Sequence, residues 1–379
     1  MTTRCPILFS PVSFLGLQLK NRVVVGPMTR TNAADDGLAT AVMADYYAQY
    51  ASGGFAMVIA EAAYVDEEYS QGWWNQPGIA NAAQRDAWRQ VTQAVHAAGA
   101  SIILQLYHCG SLNQGNRFTK ESLGPSAVRP PGKMAEHHGG SGLFPVPRAM
   151  DKQDMRRVAH SFVAAARHAI AAGFDGVEVH AANGYLLDQF LTTDTNLRSD
   201  DYGGPVANRV RFPREVLQLV RSAVPADKLV GIRLSPTKST NIEYTWPGGV
   251  EEAREIFSTL GEVGNVYLHV SANLGIAEPV FGVAENLPSM ARRFSGMPVI
   301  ACGMLEDPDR AEHLLASAQA DLVALSRAAL ADPDWPIRIQ RGEIPLAFDY
   351  GAVEPNSKIE TALAWRERKR AHLALPSAP

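Results

Sequence analysis

Short runs of alternating apolar residues recur eight times along the chain, separated by longer stretches in which apolar residues return every three or four positions. The short runs predict strands over residues 23–28, 55–62, 101–107, 176–182, 229–236, 266–272, 298–303 and 322–327. The longer stretches predict helices, among them 82–98 and 154–172. Each of these two is followed by a glycine, Gly99 or Gly173, as expected just past a helix end. Eight strand–helix units predict an α/β fold, a (β/α)8 TIM barrel, with a β-hairpin ahead of its first strand. A doubly wound open sheet is the rival, but no G-x-G-x-x-G follows the first strand.

The repeat also sets the domain reading: one barrel over residues 1–349 and a C-terminal tail, 350–379, with a charged helix expected over 358–373. Residues 108–150, rich in glycine and proline, interrupt the repeat as an insertion after the third strand, on the side where barrels place their chemistry. Loops of that length are lids or linkers. The tail helix reads equally as an interface or a solvated face.

Composition narrows the setting. A net charge of −4 gives no electrostatic case for binding nucleic acid or an anionic membrane. Cys5, Cys109 and Cys302 have neither C-x-x-C nor metal-ligand spacing, which suits a reducing cytoplasm and no metal. Pro6, Ser10 and Pro11 break up the apolar residues at the N-terminus, so no signal peptide is expected, and no 18-residue apolar run follows. The expectation is a soluble cytoplasmic protein, either a monomer or a homo-oligomer.

Candidate chemistry concentrates in residues 174–185, an alternating apolar run that ends in His180, Asn183, Gly184 and Tyr185. Strand periodicity turns Val177 and Val179 outward and Glu178 and His180 inward. The same count on neighbouring strands turns Gln105, Arg233, His269 and Ser271 into the barrel. Buried charges need partners. One reading is therefore a satisfied internal network, such as Glu178 paired with Arg233; the other is a polar, electron-rich ligand at the rim. The seventh and eighth strands end in Ala301-Cys-Gly-Met304 and Ala324-Leu-Ser-Arg327, where barrels hold phosphate. Gly303 permits close backbone approach, and Arg327 offers a bidentate cation.

In these motifs the chain resembles the Old Yellow Enzyme family of FMN-dependent ene-reductases. The match spans roughly residues 7–345 and rests on Leu8-Phe-Ser-Pro11, Leu19-Lys-Asn-Arg22, Gly26-Pro-Met-Thr-Arg30, Gln105-Leu106, His180-Ala-Ala-Asn-Gly-Tyr185, Asp201-Tyr-Gly-Gly204, Asn208-Arg209, Gly231-Ile-Arg-Leu-Ser235 and the Gly303/Arg327 pair. The resemblance implies non-covalent FMN, reduced by NADPH or NADH and reoxidised by an electron-poor alkene such as an unsaturated ketone, aldehyde, imide or nitroalkene. It implies that Thr29 bonds the flavin C4 carbonyl, Gln105 its pyrimidine edge, and Arg233 the N1 region. Pro27, Met28 and Ala62 would neighbour the ring, and Gly303, Met304, Ser326 and Arg327 would hold the phosphate. His180 and Asn183 would bind the substrate oxygen, and Tyr185 would protonate the α carbon. Ser326 stands where the family more usually has glycine, Asp332-Pro-Asp334 replaces a commoner Asn-Pro-Asp, and Thr192-Thr-Asp-Thr-Asn196 is an unusual version of its segment.

Three alternative readings differ in the residues they require. Related flavin barrels with an iron–sulfur cluster need a cysteine cluster that this chain lacks. A Schiff-base lyase or aldolase barrel needs a strand lysine, and none of the eight expected strands has one. A non-catalytic flavin binder would have no need of His180, Asn183 and Tyr185 together. Trp73 and Trp74 read as packing or as an overhang on the pocket, and Cys109 beside His108 has no independent support as a nucleophile.

Overall fold

The computed structural model describes residues 4–272 and 275–373. Eight parallel strands close into a barrel: β1 (Val23–Val25), β2 (Met57–Tyr64), β3 (Ser101–Tyr107), β4 (Gly176–Asn183), β5 (Leu229–Lys238), β6 (Tyr267–Ser271), β7 (Val299–Cys302) and β8 (Leu322–Leu325). Each pairs with its sequence neighbours, and β8 pairs with β1 to complete the circle. Helices α1 (Ala41–Ser52), α2 (Ala82–Ala97), α3 (Lys152–Ala171), α4 (Arg211–Ala223), α5 (Gly249–Gly261), α6 (Leu287–Ser295), α7 (Pro308–Ala316) and α8 (Trp335–Arg341) alternate with the strands. The expected (β/α)8 barrel is therefore what forms.

Strand limits depart from the alternation where the backbone forbids it. β1 stops at Val25, and Gly26 N–H donates to Leu325 O before Pro27, which has no N–H to continue a ladder. β7 stops at Cys302 because Gly303 turns to a φ of 139°. β4 and β5 run on to Asn183 and Lys238, with a register shift between Ala181 and Asn183. α3 starts two residues early because Asp151 caps it: the Asp151 carboxylate accepts from Gln153 and Asp154 N–H, and Asp154 accepts from Asp151 N–H.

The core has two layers. Outward strand residues such as Val177, Val179 and Ile232 pack with the helices, and inward ones such as Ile103, Leu229 and Ile300 fill the barrel. The expected hairpin, Val12–Phe14 paired antiparallel with Leu17–Leu19, joins the inner layer through buried Phe14 and Leu19, with Phe14 5.6 Å from the Tyr267 ring. Its Leu15-Gly16 turn has φ of 48° and 90°, the positive values a two-residue hairpin requires.

Beyond the barrel, α9 (Ile359–Leu373) forms at the expected tail helix, and residues 374–379 of that tail lie outside the described residues. Arg366 is buried, donating to Leu330 O at 2.8 Å and Gln49 Oε1 at 2.7 Å, so one face of α9 rests on the barrel wall. Within 108–150, Leu123–Gly124 and Arg148–Ala149 pair in parallel. Among the described residues no helix is long and apolar enough to cross a membrane.

Candidate active site

Four inward positions lie in one row of the barrel: Gln105, Glu178, Gly231 and Tyr267 are successive register partners. Gly231 makes the row possible, because a Cβ there would sit 2.1 Å from the Tyr267 ring. The ring crosses above Gly231 and brings its hydroxyl to Glu178 Oε2 at 3.1 Å. Gln105 Nε2 donates to Glu178 Oε1 at 2.8 Å, and His269 Nδ1 is 2.8 Å from Oε2. Burial opposes charge on both members, but their mutual attraction outweighs it: Glu178 falls below the usual carboxylate range and His269 rises above the usual imidazole range. The expected Glu178–Arg233 pairing is thus corrected. Arg233 stands in the next row, beside His180 and His269, and the direct partners of Glu178 are His269, Tyr267 and Gln105.

Arg233 instead opens into a cavity of about 540 Å³ at the C-terminal mouth. Of the residues expected to hold cofactor or substrate, Pro27, Asn183, Arg233, Gly303, Met304, Ser326 and Arg327 line this cavity. Arg233 Nε and Ser271 Oγ are buried without a hydrogen-bond partner, two polar groups left unsatisfied at its wall. At Gly303 a Cβ would meet Ala272 O at 2.2 Å, so the tight turn beside the cavity admits only glycine.

The other expected residues, Met28, Thr29, Ala62, Gln105, His180 and Tyr185, are not among its lining residues. Gln105 sits in the row of Glu178. Met28 and Thr29 are half-buried on the segment after β1, which Glu61 of β2 fastens by accepting from Arg30 N–H at 2.8 Å and Thr31 N–H at 3.3 Å. Ala62 packs with Trp73, Tyr107, Cys109 and Tyr185 in an aromatic wall.

His180 is buried in the second half of β4, and its Nδ1 accepts from Ala182 N–H at 3.3 Å. That bond assigns the proton of the neutral ring to Nε2. Burial and then the Arg233 charge push the imidazole down to about 3, so it is a neutral donor at physiological pH. Asn183 has a φ of 61°; its N–H donates to Ser235 Oγ at 2.9 Å, and its carbonyl accepts from Ser239 Oγ at 2.9 Å. These bonds tie its backbone to β5 while the residue lines the cavity. Tyr185 follows, its ring 5.0 Å from His180 and 4.7 Å from Tyr107, and burial raises its phenol well above the usual range.

Sequence reasoning assigned no site role to Tyr107, Glu61 or Cys302 and left Trp73 open between packing and an overhang on the pocket. Tyr107 shares the inward phase of Gln105 and could have been found by the same count. Trp73, in a loop, carried no such signal; it stacks on Tyr107 at 5.1 Å and meets Tyr185 edge-on at 5.7 Å, whereas Trp74 is half exposed. His138 of the insertion reaches Trp73 from outside, at 5.3 Å between rings. Cys109 is buried, and its thiol donates to Tyr69 O at 3.1 Å; burial raises it, which leaves no thiolate nucleophile there. The unusual 192–196 segment is fastened by a Lys238–Asp194 ion pair and by Asn196 Nδ2 donating to Phe190 and Tyr202 carbonyls.

Residues 7–344 match the NADH:flavin oxidoreductase / NADH oxidase family. Among proteins similar in sequence, a probable flavin mononucleotide-dependent alkene reductase of Leishmania infantum is 35% identical over 347 residues, 89% of this chain and 91% of that protein. An NADH oxidase of Thermoanaerobacter brockii is 32% identical over 90% of this chain, which spans 52% of that longer protein. Among solved structures, the old yellow enzyme homologue of Zymomonas mobilis superposes with a TM-score of 0.82 at 34% identity, covering 94% of this chain and 96% of the other. Morphinone reductase in complex with tetrahydroNAD gives 0.79 at 34% identity, covering 91% and 93%.

Proposed function

The chain belongs to the NADH:flavin oxidoreductase / NADH oxidase family, whose members include the old yellow enzyme homologues, and we propose that it is an ene-reductase acting on electron-poor alkenes at the mouth of its barrel. It is an FMN-dependent oxidoreductase that uses a nicotinamide as reductant. When bound, FMN supplies the two-electron chemistry that links nicotinamide to alkene.

The residues present fit that group. The cavity is of cofactor size, Arg233 Nε and Ser271 Oγ wait unpartnered at its wall, and Arg327 and the Gly303 turn offer a cation and open backbone for a phosphate. Arg233 supplies a fixed cation where negative charge develops, and Gln105, held by Glu178, is placed for the polar edge of a ring. The Glu61 clasp fastens the segment that carries Pro27, Met28 and Thr29, of which Pro27 lines the cavity, with Ala62 on the adjoining strand.

The observation that carries the reading is the placement of three residues: Asn183 lines the cavity, His180 is the register partner of Arg233, and the Tyr185 ring lies 5.0 Å from that of His180. His180 presents Nε2–H, and Asn183 presents its amide, to a carbonyl or nitro oxygen, drawing electron density from the β carbon. Tyr185 stays protonated and delivers its proton to the α carbon. Trp73 and Tyr107 back Tyr185 with aromatic surface, and His138 of the insertion meets Trp73. Spectra in an anaerobic cuvette test the reading. NADPH should bleach the flavin band and 2-cyclohexenone should restore it; a bleached protein that no enone, imide or nitroalkene reoxidises would refute the assigned substrate class.

A further inference from the structure

Cys302 ends β7 with its side chain in the barrel, in the cavity assigned to FMN. Its sulfur lies 3.8 Å from Arg233 Nη2 and 3.7 Å from Ser326 Oγ, and Ser271 is its register partner on β6. Gly26 packs its bare backbone against another side, where a Cβ would already touch the sulfur at 3.6 Å and clash with Ser326 Oγ at 2.5 Å, so the cavity is the side from which a ligand reaches the sulfur. Two buried, unpartnered polar groups, Arg233 Nε and Ser271 Oγ, share the cavity and mark this wall as built to receive a ligand. We infer that Cys302 is a covalent modification site: with FMN away, its sulfur adds to electron-poor alkenes, and bound FMN shields it.

The surroundings select this thiol over the other two. Burial alone would raise Cys302, but interaction with His269 and then the Arg233 charge bring it down to about 7, below the ordinary thiol range. Burial and the Asp309 carboxylate push Cys5 up to about 11, and burial raises Cys109. In the addition, the sulfur lone pair forms a bond to the β carbon, the π pair moves to the α carbon, and that carbon takes one proton from solvent. Thiol and alkene combine into a thioether, with no oxidant or reductant consumed. The product would occupy the cavity beside Arg233 and Ser326 and prevent FMN from returning. Hence the molecules that serve as substrates of the loaded enzyme inactivate the form that has lost its cofactor.

The inference rests on the placement of FMN in this cavity, and one experiment separates the two. The purified holoenzyme is treated with N-ethylmaleimide, an electron-poor alkene, at a series of added FMN concentrations, and adducts are located by peptide mass mapping. The expected result is a first adduct at Cys302, formed about 100-fold more slowly at FMN 100 times its dissociation constant. Cys302→Ser and Cys302→Ala should keep their FMN through the same treatment, while the unsubstituted protein loses it. A first adduct at Cys5 or Cys109, or none at Cys302 when FMN is depleted, would overturn the reactive thiol. Labelling of Cys302 at a rate indifferent to FMN would overturn the shielding and remove FMN from this cavity.

Discussion

The imidazole of His180 and the phenol of Tyr185 meet edge to face, with ring centroids 5.0 Å apart and planes inclined by 77°. The contact sets a neutral N–H donor beside a protonated O–H; in the proposed reaction the first would hold the alkene's oxygen and the second would serve its α carbon.

Removing the donors should separate catalysis from cofactor binding. His180→Ala with Asn183→Gly, glycine being chosen for the φ of 61°, should lower enone turnover by about 10²–10³-fold or more while FMN stays bound. Stopped-flow reoxidation by 2-cyclohexenone, with FMN content measured on the same sample, decides it. Unchanged reoxidation would remove the pair from substrate binding.

Tyr185→Phe should slow alkene-driven reoxidation by about 10²–10⁴-fold and leave reduction by NADPH unaffected, because only the alkene step takes a proton from the phenol. Equal slowing of both half-reactions would instead indicate a packing role against Tyr107 and Trp73.

The pH profile follows from His180. Its folded pKa is depressed to about 3 against about 6.5 in the unfolded chain, so enone turnover should show no ionisation of this residue between pH 5 and 9. The unfolded state takes up a proton the folded state refuses, so the stability contribution held above about pH 6.5 is lost as pH falls toward 3. His180→Gln should flatten that part of the Tm-against-pH curve.

Glu178→Gln tests the buried pair. Glu178 has a lowered folded pKa, so its contribution is present above about pH 4 and lost as pH falls through the folded value. His269 has a raised one, so its contribution is complete below about pH 6.5 and lost as pH rises through the folded value. The variant should be destabilised by about 3–5 kcal/mol, most strongly between those limits. Denaturant melts at pH 3, 5.5 and 9 would show the gap; a deficit constant across all three would contradict an ionised pair.

Arg233→Met should weaken FMN binding by about 1.5–3 kcal/mol, roughly 10- to 150-fold in Kd, by removing a charged donor to the ligand. Quenching of FMN fluorescence gives the constant directly, and affinity unchanged within twofold would detach Arg233 from the cofactor.

The amino-acid sequence by itself determined the eight-fold alternation, the inward phase of Gln105, Glu178, His180, Arg233, His269 and Ser271, and the tail helix, because periods of two and of three to four residues are local properties of the chain. Family motifs likewise placed Gly303 and Arg327 at the strand ends, where both now line one cavity. Which inward groups touch was decided by tertiary structure. Parallel register set Glu178 beside Gly231, the missing side chain there admitted the Tyr267 ring, and His269 took the carboxylate that periodicity alone could as well have given to Arg233. Trp73 joined Tyr107 and Tyr185 from a loop with no period to read, and Cys302 acquired its neighbours only when β5, β6 and β8 closed around it. Phase is fixed by the backbone of one strand, but partnership depends on stagger between strands and on the volume each side chain leaves its neighbours.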